Sequence, residues 1–222
     1  MPSFDIVKES VPSNSFKANK IRADFDFQSE SITEHFVGNI EFPDDWKIGV
    51  VYGMSGTGKS TIARELFGEF ETFEYSKPSV IDDFDESASE VTDMFTMFGF
   101  SSVPSWLKPY SVLSTGEKMR VDLSKCMFSK KQIAVYDEFT SVVDRDVART
   151  MCIAINKAKK RIDRKIVFVT CHHDVLDWLE PDWAFCTDTM TQNFRYAHVS
   201  ESGSKSGNAE STRGRTLGVI TI

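Results

Sequence analysis

IGVVYGMSGTGKSTIARELF, residues 48–67, is the stretch on which the reading of this chain turns. IGVVYG (48–53) is a short continuous apolar run, the pattern of a strand buried on both faces. TIARELF (61–67) spaces Ile62, Ala63, Leu66 and Phe67 along one face of a helix. Between them, GMSGTGKS (53–60) fits G-x-x-x-x-G-K-[ST] with the strand before and helix after that this pattern requires. Gly53, Gly56 and Gly58 let the backbone curl, through Ser55 and Thr57, until its N–H groups converge on phosphate oxygens. Lys59 puts a point charge at the β- and γ-phosphates. Ser60, followed by Thr61 at the helix start, offers a hydroxyl to Mg²⁺.

That hydroxyl needs a carboxylate partner at the end of a neighbouring apolar strand. QIAVYDE (132–138) supplies one, ending in Asp137 and Glu138. Asp137 is expected to hold Mg²⁺ through water, and Glu138 to polarise the attacking water as general base.

The rest of the chain alternates in β and α character. IRADFDF (21–27) reads as a half-buried strand with Ile21, Ala23, Phe25 and Phe27 on one face, and HFVGNIEF (35–42) as its antiparallel neighbour. SVIDDF (79–84) reads as a short strand ending in acids. ASEVTDMFTMF (88–98) is helical, and Pro104 and Pro109 enforce an irregular connection. A helix through Val147, Met151, Ile155 and Ala158 precedes the strand KIVFVT (165–170). Such alternation predicts an α/β layered domain with a largely parallel sheet. In LSTGEKMR (113–120), Ser114 caps a helix and Glu117 completes a capping box. A helix start of this kind can also meet a phosphate.

At 222 residues, 41% hydrophobic and 27% charged, the chain fits one globular domain. The folded core is placed at 1–200, with a smaller helical segment at 85–112. The Ser/Gly-rich stretch 201–222 is read as a mobile tail in which LGVITI could form a last strand. The four scattered cysteines predict reduced thiols in a cytoplasm. Neither a leader nor a bilayer-spanning run is visible, so no direct membrane insertion is expected. The formal charge of −7 does not point to nucleic acid, although KAKKRIDRK (157–165) leaves a local basic contact open.

Taken in order, the phosphate loop, LSTGEK, the strand ending in Asp-Glu, SVVD (141–144) and a histidine after a further strand resemble the ATP-binding-cassette (ABC) ATPases. The resemblance runs from about residue 20 to 190. It implies a P-loop NTPase fold of ABC type: a mainly parallel sheet flanked by helices, an N-terminal antiparallel β piece and a reduced helical subdomain. It further implies ATP and Mg²⁺ as ligands, and a nucleotide-dependent head-to-tail homodimer. There Ser114, Gly116 and Glu117 of one chain would face the γ-phosphate held by the other. Asp144 would lie at the interface. In VTCHHDVLDW (169–178), His173 precedes Asp174 as the family's switch histidine does, with His172 the competing candidate. GMSGTGKSTIAREL, VIDDF, YDEFTSVVDRDVA and TCHHDVLDWLEPDW look most like soluble prokaryotic and phage ABC-type ATPases, some fused to an acetyltransferase-like domain.

Two departures stand out. LSTGEK differs from the LSGGQ-like pattern at Thr115 and Glu117. No glutamine lies between Thr61 and Leu113, where transporter-type members carry one. Asp83, or Asp82, would approach the metal instead. Phe25, Phe27 and Phe36 are available to stack adenine, but their alternation assigns them to core packing. The expected function is a soluble Mg-dependent ATPase acting on an unknown protein partner. The alternatives are a transporter's ATP-binding subunit and a nucleotide-gated interaction module with little turnover.

Overall fold

The computed structural model describes residues 3–27, 31–70, 72–161 and 163–193; the tail and LGVITI lie outside them. The central sheet has five strands in the order β4 (Ile133–Tyr136), β5 (Lys165–Thr170), β3 (Ile48–Tyr52), β6 (Trp183–Cys186) and β7 (Thr191–Asn193). The first four run parallel and β7 is antiparallel to β6. The apolar run of β3 is explained by burial on both faces, since all five of its residues are buried.

Alternation then divides the core. Ile48, Val50 and Tyr52, with Ile166 and Phe168 of β5, face α5 (Thr115–Met127), α6 (Arg145–Ala158) and α7 (Val175–Leu179). Val51, Val167 and Val169 face α2 (Lys59–Phe67) and a cluster of Phe4, Phe36, Trp46, Trp183 and Phe185. A third cluster, including Val80, Phe95, Leu113 and Val121, joins α3 (Ala88–Met97) and its flanking segments to α5.

An antiparallel piece does form at the N-terminus, but with a different partner from the one expected. β1 (Ser3–Ser10) pairs with β2 (Ile32–Asn39), and of the segment read as strand 21–27 the first four residues lie in α1 (Phe16–Asp24) and the last three in the turn after it. Ser15 caps α1 by accepting the Ala18 N–H at 3.2 Å, and Lys17, Ala18, Lys20, Arg22 and Ala23 are adequate helix formers. Its alternating apolar residues mark no buried face. Ile21, Phe25 and Phe27 are 56%, 75% and 62% exposed, so Phe25 and Phe27 are not core residues. Phe36 is one, at 7%.

SVIDDF is likewise not a strand: Val80–Asp83 forms a 3₁₀ turn closed by Asp82 N–H to Ser79 O and Phe84 N–H to Ile81 O. Short acidic 3₁₀ turns and strand ends look alike in sequence. The reading also missed β1, β6 and β7. No helix among the described residues is long and apolar enough to cross a membrane.

Trp183 of β6 lies over Gly49 of β3 so closely that a Cβ there would meet its ring at 2.1 Å. Gly49→Val is therefore expected to destabilise the protein by about 1–3 kcal/mol through overpacking, read as a lower urea midpoint at unchanged m-value.

Candidate nucleotide site

Parallel β3, β5 and β4 end on the same edge of the sheet, so the loops that follow them meet there. After β3 the phosphate loop turns into α2 at Gly58, whose φ of 83° is left-handed. The Phe36 ring lies 2.5 Å from where a Cβ on Gly58 would sit. Glycine is required on both counts. Lys59 is buried and donates from Nζ to the Met54 carbonyl at 2.6 Å.

Ser60 Oγ donates to Asp137 Oδ1 at 3.1 Å, so hydroxyl and carboxylate meet although β5 separates their strands. Asp137 Oδ1 also accepts the Glu138 N–H at 2.9 Å, and Glu138 Oε2 accepts Ser141 Oγ at 2.6 Å. Glu138 and Thr140 both have left-handed backbones, at φ 54° and 67°. Phe139 between them is fixed by its N–H to Val169 O at 2.8 Å and by Thr170 Oγ1 to its own carbonyl at 2.8 Å. The resulting turn projects the Glu138 side chain into a pocket of about 180 Å³. Ser55, Gly56, Gly58, Lys59, Ser60 and Thr61 line it with Glu138, and Lys8, Glu34 and Phe36 of the hairpin overhang it. Such a volume suits a phosphate chain and falls short of a whole-nucleotide pocket.

Gly53, Met54 and Thr57 are held from behind by residues that sequence reasoning missed. Asp188 Oδ1 accepts the Met54 N–H at 2.8 Å, and Thr187 Oγ1 lies 2.5 Å from Thr57 Oγ1. Both follow β6, itself unread in the sequence, and no local pattern marks them.

The two histidines part company. His172 Nδ1 is 3.1 Å from Thr140 Oγ1; burial first, and then the Arg145 guanidinium, push its pKa below the ordinary imidazole value. His173 is more exposed, its ring edge-on to Tyr52 at 5.0 Å and its Nε2 3.8 Å from Asp188 Oδ2.

Other sequence-derived candidates do not reach this pocket within one chain. Ser114, Gly116, Glu117 and Asp144 line no part of it. Ser114 caps α5 in a full capping box with Glu117, and Asp144 caps α6 by accepting the Val147 N–H at 2.9 Å. Asp83 is not brought to the pocket either: its Oδ1 accepts the Ser76 and Lys77 N–H groups at 3.0 and 3.1 Å. A separate cavity of about 550 Å³ reaches Asp137 from the α5 side. On its wall Tyr75 and Tyr110 stack at 3.9 Å and both donate to Asp122, at 2.8 and 2.7 Å.

A family model described as "ATPase family associated with various cellular activities (AAA)" matches residues 50–183. The chain belongs to this ATPase family. Among curated proteins this ATPase is similar to the energy-coupling factor transporter ATP-binding protein EcfA of Malacoplasma penetrans, 32% identical over 109 residues (47% of this chain, 33% of the relative). It is also similar to EcfA1 of Leuconostoc mesenteroides, 28% identical over 90 residues (40% and 32%). The ATPase thus spans about a third of the length of the curated relatives it matches. Among solved structures its fold is that of ABC cassettes. A dimeric bacterial ABC transporter cassette superposes at TM-score 0.53 and 12% identity, covering 72% of this chain and 88% of the other. A post-hydrolysis form bound to ADP and Pi gives 0.53 and 12% (79% and 92%). CbiO1 of Clostridium perfringens, part of the ABC transporter complex cbiONQ, gives 0.50 and 17% (63% and 72%). The ABC resemblance read from the motifs, and with it the P-loop α/β fold, holds.

Arg145 grips Asp174 through two N–H groups, Nε to Oδ2 at 3.0 Å and Nη2 to Oδ1. Burial alone would raise the Asp174 pKa, but the hydrogen bonds and charge of Arg145 outweigh it and leave it below the ordinary carboxylate value. A carboxyl depressed in this way contributes stability above its unfolded pKa, about 4, and loses it as pH falls through the folded value. Asp174→Asn is therefore expected to be less stable than the parent at pH 7, by less than about 1 kcal/mol because both side chains are over a third exposed. The gap should close by about pH 2 in urea titrations across pH.

Proposed function

We propose that this ATPase binds Mg-ATP at the phosphate-loop pocket and hydrolyses it in a composite site made by two head-to-tail copies. The observation that carries this reading is the meeting of Ser60 Oγ and Asp137 Oδ1 beside Lys59 and Glu138, with Ser114 displayed elsewhere on an exposed helix start. A hydroxyl and a carboxylate oxygen side by side are the hard donors that Mg²⁺ prefers, so Ser60 and Asp137 fit the ion. Bound there, it would supply charge neutralisation at the β- and γ-phosphates.

In this reading the phosphate loop and Lys59 hold the phosphate chain. Lys59 gives up its bond to the Met54 carbonyl as it does so. Glu138, steadied by Ser141, orients a water in line with the γ-phosphate and takes its proton. His173 is the better candidate for the γ-phosphate contact, because the His172 ring nitrogen is already engaged by Thr140. Ser114 and the first N–H groups of α5 would close the site from the second copy, where the helix dipole favours an anion. Asp144 would flank that interface. The load moved by this cycle is an unidentified protein partner.

A second reading is favoured by the printed names of the curated relatives, which are ATP-binding proteins of transporters. It makes this chain the ATP-binding subunit of a membrane assembly. Stable copurification of the tagged chain with an integral membrane protein from its native host would support that reading over the first.

Sedimentation velocity on Glu138→Gln, with and without Mg-ATP, tests the proposal. A shift from monomer to dimer with ATP, abolished by Ser114→Arg, is expected; a protein that binds ATP but stays monomeric sinks the composite site. In the parent, Asp137→Asn and Glu138→Gln should each lower kcat for ATP hydrolysis by about 10²–10³.

A further inference from the structure

The start of α5 holds a conflict of charge. The Glu117 Oε2 oxygen accepts both the Ser114 N–H and the Ser114 hydroxyl, each at 2.8 Å, while Ser114 Oγ accepts the Glu117 N–H at 3.3 Å. In this state the Ser114 hydroxyl donates to Glu117 and is not available to a phosphate. A carboxylate also stands at the helix end where another anion would have to approach, and like charges this close repel strongly.

One turn along the same helix lies a group with the opposite deficit. Arg120 Nε is buried and has no hydrogen-bond partner. Its Nη1 lies 3.2 Å from where a Cβ on Gly116 would sit, and the same point is 3.6 Å from Val147. Arg120 is thus a cation packed under the helix start, between Gly99, Gly116 and α6. A buried guanidinium nitrogen without a partner is uncommon enough to call for an explanation. Residues three apart face each other on a helix, so Glu117 needs only a side-chain rotation to leave Ser114 and reach Arg120.

We propose that Arg120 is a positioning residue that receives the Glu117 carboxylate when the second copy's phosphate arrives. Glu117 has two stations. Over Ser114 it completes the capping box of the free chain. Over Arg120 it frees the Ser114 hydroxyl and the first N–H groups of α5, and the charge attraction that Arg120 already exerts on it becomes a direct bond to the unsatisfied Nε. Lys108, Ser105 and Ser114 also bear on Glu117, and they hold it in the first station. This inference rests on the composite site proposed above and names the device that opens its second half.

The test is a double-mutant cycle in the Glu138→Gln background, reading the dimer dissociation constant with saturating Mg-ATP by sedimentation velocity. Glu117→Gln removes the competing charge and is expected to tighten the dimer about tenfold. Arg120→Met should loosen it about tenfold when Glu117 is present and by less than about twofold when Glu117→Gln is present. Arg120→Lys, which keeps the charge, should restore most of the loss. Without nucleotide, Arg120→Met should leave the thermal midpoint unchanged or raised, since the buried Nε makes no hydrogen bond there. Equal loosening in both backgrounds, or a lowered midpoint in the free chain, would show Arg120 to be only a packing residue and overturn the inference. A Glu138→Gln protein that binds ATP without dimerising would instead overturn the composite site itself, and this inference with it.

Discussion

The hydrogen bond from Ser60 Oγ to Asp137 Oδ1 is the contact on which the rest of the site depends. Its partners leave β3 and β4, which are not neighbours: β5 lies between them, so the two strands stand roughly 10 Å apart. The bond can form only because all three strands run parallel and end on one edge. There the phosphate loop leans inward from one side and the Asp137 turn from the other. Everything that fixes the sheet order therefore acts on the site: the two-faced burial of β3, the Val and Phe alternation of β5, and the helices packed on each face.

The turn after Asp137 is the costly part of this arrangement. Non-glycine residues in left-handed conformations are disfavoured, and a β-branched one such as Thr140 especially so. Thr140 is nevertheless fully buried, and its hydroxyl meets His172 and Arg145. Phe139, also fully buried, is tied to β5 on both sides of its backbone. Core packing of one side chain thus holds its two neighbours in conformations they would not choose, and one of them is Glu138. Strain of this kind, concentrated beside the carboxylate proposed as general base, fits a site built for orientation more than for stability.

A second economy appears in α5. The residues that satisfy its orphan N–H groups are those that would meet a phosphate in a two-chain site. In the proposed two-chain site the helix would serve the free chain and the assembled one in turn, provided the capping carboxylate has somewhere to go. The stack of Tyr75 and Tyr110 over Asp122 fixes the same helix to the lobe formed by α3 and its connections. The direction of its N-terminus is therefore set by packing remote from the phosphate loop.

How much of this was legible in the sequence depends on the range of the forces involved. The phosphate loop, Asp137–Glu138 and the cap at Ser114 obey local rules: a glycine turn, a strand end, a helix start. Each could be read within about ten residues. The N-terminal hairpin could not, because Phe25 and Phe27 alternate like a strand yet have no sheet to face, while the partner of β2 sits almost thirty residues upstream. Thr187 and Asp188 carry no motif; they matter only because β6 is laid parallel to β3 and delivers them to Met54 and Thr57. The same holds for Arg120, whose Nε has no hydrogen bond only because folding packs it close to Gly99 and Gly116. The chemistry of the loop was thus determined by sequence alone, since backbone conformation and side-chain type are local properties. Which carboxylate meets which hydroxyl, and which histidine is engaged by Thr140, was decided by the tertiary structure, because strand order and burial are properties of the whole chain.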